Sequence, residues 1–355
     1  MTAGDPGPVD DRDDLTPAWL TAALRAGGHE VTVTAADAEP IGHGQIGANY
    51  RLALELNGGG GGGAMPSRLV AKLGAGADRS IVSGGYRKEV AFYLDIAATV
   101  AVRTPRCWYG AISADGTVFT LLLEDLAPAE TGDQLAGCGA AAAEAAVANL
   151  AGLHGPRWDD ATLWSHPELD PVDEDGAALL GEIYASAVTT FVGRYEAELD
   201  SGQVSVLHRV AEAITPWIAR VDRFAVGHGD YRLDNLLFGP DGAVSAVDWQ
   251  TLSVVPPGRD LAYFCGNSLE PEVRRTCEDR LVTTWRDGLA THGVQLDEAD
   301  AIAEYRLGVL QGPLITVLGA VYATAERSDR ADAMFLTMLR RGLVAVDDLD
   351  PFSLL

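Results

Sequence analysis

The chain has 355 residues, 26 Lys and Arg against 51 Asp and Glu for a formal net charge of −25, and 47% hydrophobic residues. That length suits about two domains with sizeable cores, and the hydrophobic share excludes wholesale disorder. The acidity argues against nucleic acid as a partner, because binding a polyanion requires a basic face that releases counterions. The charge reads first as a solubility setting and second as a pocket for a cationic substrate.

Residues 1–14 are acidic and rich in Pro and Gly, which predicts a mobile tail. They lack the basic segment and apolar run of a signal peptide, so a cytoplasmic location with no membrane partner is expected. Cys107, Cys138, Cys265 and Cys277 are scattered without a Cys-x-x-Cys pair and read as reduced core thiols. Thr16 is placed as a helix N-cap with Pro17 at the first helical position, Trp19, Leu20, Ala23 and Leu24 as an apolar stripe, and Gly27-Gly28 as the stop.

Strands follow. Residues 50–56 alternate polar and apolar side chains, residues 69–73 form a second short strand, and the two suit an antiparallel pair. Between them Gly58 to Gly63 reads as a loose hairpin connection, since no Gly-Lys-Ser/Thr follows to make a P-loop. Residues 85–99 read as a helix carrying Glu89, and residues 118–123 as a strand ending in Glu124-Asp125-Leu126. The composition changes there, which sets a boundary between a strand-rich domain over 15–124 and a mainly helical one over 125–355. In the latter, helices are expected over 140–153, 177–199 and 204–221, a strand-rich interlude over 225–247, and helices again to the end. Residues 307–325 have the length and polarity of a membrane span, but Gln311, Gly312 and Pro313 interrupt them, and a buried helix is the expected reading.

Gly42-His43-Gly44-Gln45-Ile46-Gly47 matches Gly-x-Gly-x-x-Gly. In a dinucleotide fold this motif opens a helix and an acidic residue follows about 20 positions later; here a strand follows and no carboxylate stands in place. In a kinase-type lobe the same glycines cap a strand-turn-strand so that backbone N–H groups approach the phosphates of ATP. That second reading requires a lysine on the next strand, and Val70-Ala71-Lys72 supplies one in a chain whose only lysines are Lys72 and Lys88. A cation on the phosphates must itself be held, and Glu89 on the following helix is the candidate.

Residues 226–238 hold the sequence Val-Gly-His228-Gly-Asp230-Tyr-Arg232-Leu-Asp234-Asn235-Leu-Leu-Phe, with the His-x-Asp-x-x-x-x-Asn spacing of a kinase catalytic loop. A turn at 239–242 and a strand at 243–247 return the chain so that Asp248 is expected beside Asn235. An amide oxygen and a carboxylate are hard ligands suited to Mg²⁺.

Taken together, His228-Gly229-Asp230 to Asn235, Val247-Asp248-Trp249-Gln250 and Gly258-Arg259-Asp260-Leu261-Ala262-Tyr263 resemble the aminoglycoside phosphotransferase and choline kinase superfamily. The resemblance runs from about Ile41 to Phe264 through five ordered motifs. The catalytic-loop wording is also similar to the kinase-like domains attached to certain acyl-CoA dehydrogenases, and Asp-Trp-Gln to ecdysteroid-kinase-like proteins.

The resemblance implies an α+β, protein-kinase-like two-lobed fold with a small antiparallel-sheet N-lobe and a larger mainly helical C-lobe. It implies transfer of the γ-phosphoryl of ATP, with Mg²⁺, to a hydroxyl of a small molecule: aminoglycoside-like, an amino sugar, an amino alcohol or a hydroxylated metabolite. Asp230 would orient the hydroxyl and accept its proton, and Asn235 and Asp248 would hold the metal. Gly42, Gly44 and Gly47 would cover the phosphates, Lys72 with Glu89 would clamp the non-transferred ones, and the linker backbone at Glu124 and Leu126 would receive the adenine. Arg232 would stabilise the phosphoryl in flight or pair with Asp234. His228 and His154 read as structural, and Asp260 as a helix cap or a brace for the catalytic loop. A nucleotide-binding pseudokinase acting as sensor or scaffold is the alternative from another class; its usual mark is loss of the base, a metal ligand or the strand lysine, and all three are present.

Overall fold

The computed structural model describes residues 4–41, 47–57, 65–75, 79–169, 172–322 and 328–355. Its contacts divide the chain into a smaller unit, Met1–Ala98 with Thr104–Ala127 and Asp248–Thr251, and a larger one, Thr99–Arg103 with Pro128–Val247 and Leu252–Leu355.

In the smaller unit α1 (Pro17–Ala26) starts as its sequence requires: the Thr16 side chain accepts the N–H of Trp19 at 3.3 Å, Pro17 fills the first turn and Gly27 ends it. Five strands follow in one antiparallel sheet, β1 (Thr32–Ile41), β2 (Gly47–Asn57), β3 (Arg68–Gly74), β4 (Cys107–Ile112) and β5 (Phe119–Glu124), in the order β1-β2-β3-β5-β4. Leu20, Ala23 and Leu24 of α1 bury themselves against Leu52 and Leu54 of β2 and Leu69, Ala71 and Leu73 of β3. Because strand side chains alternate between faces, that choice turns Val70 and Lys72 to the opposite face. There α2 (Arg79–Ala91) buries Tyr86 and Glu89, with Tyr86 against Phe119 at 4.7 Å between ring centroids.

Three local readings are corrected. The helix expected over 85–99 is α2 followed by a π-turn at Phe92–Ile96 and a short 3₁₀ turn at Ala97–Thr99. The expected mobile tail is pinned over part of its length: Val9 N–H donates to Thr120 Oγ1 at 2.9 Å, Thr120 Oγ1 donates back to Val9 O at 3.1 Å, and Tyr109 donates to Asp5 at 2.7 Å. β1 stands where the strand-turn-strand reading of the glycine motif requires a strand before Gly42, whereas β4 is a strand that the sequence does not mark. The glycine run at 58–63 lies outside the described residues.

The larger unit holds a two-residue strand β6 (Glu130–Thr131) and the helices α3 (Ala140–His154), α4 (Glu174–Arg194) and α5 (Ser201–Ala219). The start of α5 is fixed by a capping box between Asp200 and Gln203. Next come β7 (Ala225–Gly227), β8 (Leu236–Phe238), β9 (Val244–Ala246) and β10 (Ser253–Val255), then α6 (Gly258–Ser268), α7 (Pro271–Ala290), α8 (Glu298–Gly308), α9 (Gln311–Tyr322) and α10 (Asp329–Leu349). β7 pairs with β10, and β8 lies between β6 and β9.

Every residue of α6 is buried, and α7, α8, α9 and α10 all pack on it. The contact with α8 is backbone to backbone: a Cβ on Gly308 would fall 2.0 Å from the Gly258 carbonyl oxygen. The apolar stretch at 307–325 is broken between α8 and α9, and the twelve residues of α9 are well short of the roughly 20 that a span requires. Among the described residues α4 alone is long and apolar enough to cross a membrane, and its Ala177, Tyr184, Val188 and Phe191 are buried in this unit.

Candidate active site

Among the described residues, those singled out from sequence divide between the two units. In the smaller unit Lys72, projecting from β3, donates to Glu89 Oε2 at 2.6 Å and to Asp248 Oδ1 at 3.2 Å. Lys72 and Glu89 are both buried. Burial works against the Lys72 ammonium, but Asp248 and Glu89 outweigh it and hold its pKa above the ordinary value. Burial pushes the Glu89 carboxyl up to about 7 against the pull of Lys72. The lysine therefore stays charged between two acidic partners.

Gly47, the third glycine of the motif, opens β2. A Cβ there would lie 3.1 Å from Lys72 Cε and 3.3 Å from the Leu73 carbonyl oxygen. Gly47→Ala is expected to cost about 1 kcal/mol, the lower end for overpacking, read as a lower denaturant midpoint. Gly42 and Gly44 lie outside the described residues.

Asp248 is one of three non-glycine residues with positive φ among the described residues, at 69°, a backbone state held only where its neighbours enforce it. The enforcing contacts are next along the chain. Trp249 is fully buried and stacks on Phe92 with centroids 3.4 Å apart and planes 7° apart, and Gln250 packs against Gly85. At the end of β5 the N–H of Glu124 donates to Arg106 O at 2.8 Å and its carboxylate accepts Arg106 N–H at 3.2 Å. The reading of Glu124 as a base contact thus rests on its carbonyl oxygen alone. Leu126 lies in the turn that Asp125 closes by accepting the Ala127 N–H at 3.1 Å.

In the larger unit the loop after β7 is hung from α6. Asp260, fully buried, accepts the N–H of His228 on Oδ2 at 2.6 Å and the N–H of Gly229 on Oδ1 at 2.9 Å. Burial alone would raise its carboxyl, but His154, at 3.4 Å from Oδ2, and His228 hold its pKa below the ordinary value. Asp260 is thus the brace rather than the cap. Gly229 has φ 81°, where a side chain is strained, which accounts for glycine at this position. His228 takes the Asp230 N–H on Nδ1 at 3.3 Å, so its Nε2 carries the proton toward Val247 O at 3.0 Å; both nitrogens serve the loop. His154 likewise receives Trp285 Nε1–H on Nδ1 at 3.0 Å and is buried.

This loop brings Asp230, Arg232 and Asn235 together. Asp230 Oδ2 accepts Arg232 Nε–H at 3.1 Å and Asn235 Nδ2–H at 2.9 Å, and Asn235 Nδ2 also donates to Asp230 O at 2.8 Å. Arg232 reaches Asp234 Oδ2 at 2.6 Å as well, so the ion-pair reading of this arginine is realised. Burial opposes its charge, and the Asp230 and Asp234 carboxylates more than restore it. The β8–β9 hairpin closes with Val247 N–H donating to Asn235 O at 3.0 Å, one residue before Asp248 in the chain.

Two residues of this cluster were not anticipated. Gln134 accepts the Leu233 N–H on its side-chain oxygen at 2.9 Å and donates its own N–H to Asp234 at 3.0 Å. Tyr263 donates to Asp230 Oδ1 at 2.6 Å. Tyr263 lay within a motif already singled out; nothing near Gln134 in the sequence marks it.

The model of APH, the phosphotransferase enzyme family, matches residues 37–295. Over 100 residues, 28% of the chain, the sequence is 28% identical to acyl-CoA dehydrogenase family member 10 of Mus musculus, and the match spans only 9% of that protein's length. Among solved structures, the GDP and kanamycin complex of APH(2")-IIia superposes with a TM-score of 0.53 at 14% identity, covering 91% of this chain and 97% of that one. Choline kinase from Cryptosporidium parvum superposes with a TM-score of 0.54 at 11% identity, covering 90% and 92%. At such identities the likeness is one of fold: a small antiparallel-sheet unit and a mainly helical one, as the motifs implied.

Proposed function

The chain belongs to the phosphotransferase enzyme family, and on that premise we propose that it moves the γ-phosphoryl group of ATP, with Mg²⁺, to a hydroxyl of a small molecule. The observation that carries this reading is the state of Asp230. Its carboxylate is fixed by Arg232 and Asn235 on a loop that the buried Asp260 braces, and its side chain remains 23% exposed. A carboxylate so held is oriented for an incoming hydroxyl before any substrate arrives.

Asp230 accepts the proton of the acceptor hydroxyl as the new O–P bond forms. The bond from the γ-phosphorus to its bridging oxygen breaks, and ADP leaves. Lys72, held by Glu89, stabilises the phosphates that stay behind, and Arg232 lies two residues from the base to offset charge on the phosphoryl in flight. The glycine motif and the linker at Glu124 and Leu126 receive the rest of the nucleotide.

Asn235 and Asp248 would hold Mg²⁺. The Asn235 amide contacts Asp230 through Nδ2 and not through its oxygen, and the Asp248 side chain is 42% exposed. An amide oxygen and a carboxylate are hard donors of the kind this ion takes together with water and phosphate. Such an ion would neutralise charge on the phosphate oxygens.

The test is release of ADP from Mg²⁺-ATP, and of GDP from Mg²⁺-GTP for comparison, across aminoglycosides, amino sugars, amino alcohols and hydroxyacyl compounds. Acceptor-dependent release that disappears without Mg²⁺ is the expected outcome. Tight nucleotide binding with no acceptor-dependent release on any of these classes would favour a sensor or scaffold.

A further inference from the structure

α6 makes two contacts with the catalytic loop from one face. Asp260 holds the backbone at His228 and Gly229, and Tyr263, three residues on and therefore on the same side of the helix, holds the side chain of Asp230. Because α6 is buried along its whole length, these two contacts tie the loop and its carboxylate to one rigid element. Tyr263 is itself fully buried, and burial, with Asp230 beside it, keeps the phenol protonated and a donor.

An ionised carboxylate accepts about four hydrogen bonds, two on each oxygen. Asp230 Oδ2 takes two, from Arg232 and Asn235, whereas Oδ1 takes one, from Tyr263. The remaining acceptor direction therefore lies on Oδ1. We propose that Tyr263 is a positioning residue that fixes the rotation of the Asp230 carboxylate and makes Oδ1 the oxygen that receives the acceptor's proton. This rests on the reading of Asp230 as the base. The proton passes from the acceptor hydroxyl to Oδ1, and the electron pair it leaves forms the O–P bond. Without the phenol the carboxylate keeps its Oδ2 contacts but turns about them, and the productive orientation is populated only part of the time.

The experiment is kinetic, with a spectroscopic arm that does not depend on turnover, on the full chain. Tyr263→Phe is expected to lower kcat about tenfold, the size of one hydrogen bond to a charged group, with KM for ATP and for the acceptor within about twofold. In an Asp230→Asn background the same substitution is expected to cause no further loss, because the group it positions is gone. A merely structural tyrosine would lower the residual rate again by the same factor. An unchanged kcat in Tyr263→Phe, or an equal further loss in the double variant, overturns the proposal. For the contact itself, the phenolic proton of Tyr263 in tyrosine-labelled protein is expected to resonate downfield of the amide region, to vanish in Tyr263→Phe and to move upfield in Asp230→Asn. Absence of that resonance in the parent also overturns it. A parent that shows the resonance but turns over no acceptor overturns the phosphotransfer reading, and with it the assignment of a proton-accepting oxygen, while leaving the contact established.

Discussion

Asp230→Asn is expected to lower acceptor-dependent ADP release by about 10²- to 10⁴-fold, the range for a lost general base, with little change in stability. The stability half of this expectation follows from the donors around the carboxylate. The asparagine oxygen accepts from Arg232 and Asn235 in the place of Oδ2, and its amide nitrogen donates to the Tyr263 hydroxyl oxygen, which rotates its own proton away. Arg232 keeps Asp234 at 2.6 Å and so is not left as an unpaired buried charge. The variant is the isosteric control for the acceptor panel: the fold and nucleotide site persist while the proton acceptor is removed. The measurements are initial rates of ADP release and a thermal unfolding curve. A variant that retains more than a tenth of the parent rate would show that Asp230 orients the hydroxyl without taking its proton.

Much of this site was legible because its chemistry is local. The alternation over 69–73 places Lys72 on the face opposite Leu69, Ala71 and Leu73, and the spacing to Glu89 suits a helix packed on that face. The run from His228 to Asn235 carries its loop geometry in its own spacing, and Asp230, Arg232 and Asn235 do meet. What was not legible depends on packing between distant segments. Gln134 serves Leu233 across 99 positions, and Phe92 meets Trp249 across more than 150. The limits of β1 are not legible because its outward residues mix Ala with Asp and Glu, so the period of two is faint; only Val33 on it is buried. The supposed tail deceived for the opposite reason: its composition is that of a disordered segment, yet Val9 completes the hydrogen bonds of Thr120, which is itself fully buried.

Lys72→Met tests the other cluster and has a pH dependence of definite sign. Removing the ammonium leaves Glu89 buried beside Asp248, and breaking a buried pair of this kind costs about 3–5 kcal/mol when the remaining charge stays ionised. Glu89 need not stay ionised. Its folded carboxyl is already pushed up to about 7 by burial with Lys72 present, and loss of the ammonium pushes it further the same way. A carboxyl raised in the folded state holds a proton that the unfolded chain has released, so folded stability is greatest below the unfolded value and falls as pH rises toward the folded one. The variant is therefore expected to unfold close to the parent at low pH and to lose stability steadily through neutrality, measured as the difference in denaturant midpoint between the two proteins across that range. Turnover is expected to fall about 10²-fold or more at every pH, the scale for removing one preorganised charge from a transferring group. Adding Glu89→Gln to Lys72→Met separates the two effects. The second change removes the buried carboxyl and flattens the pH dependence of stability, but it does not return a cation to the phosphates, so the rate stays low. Recovery of the rate in the double variant would mean that Lys72 serves the fold alone.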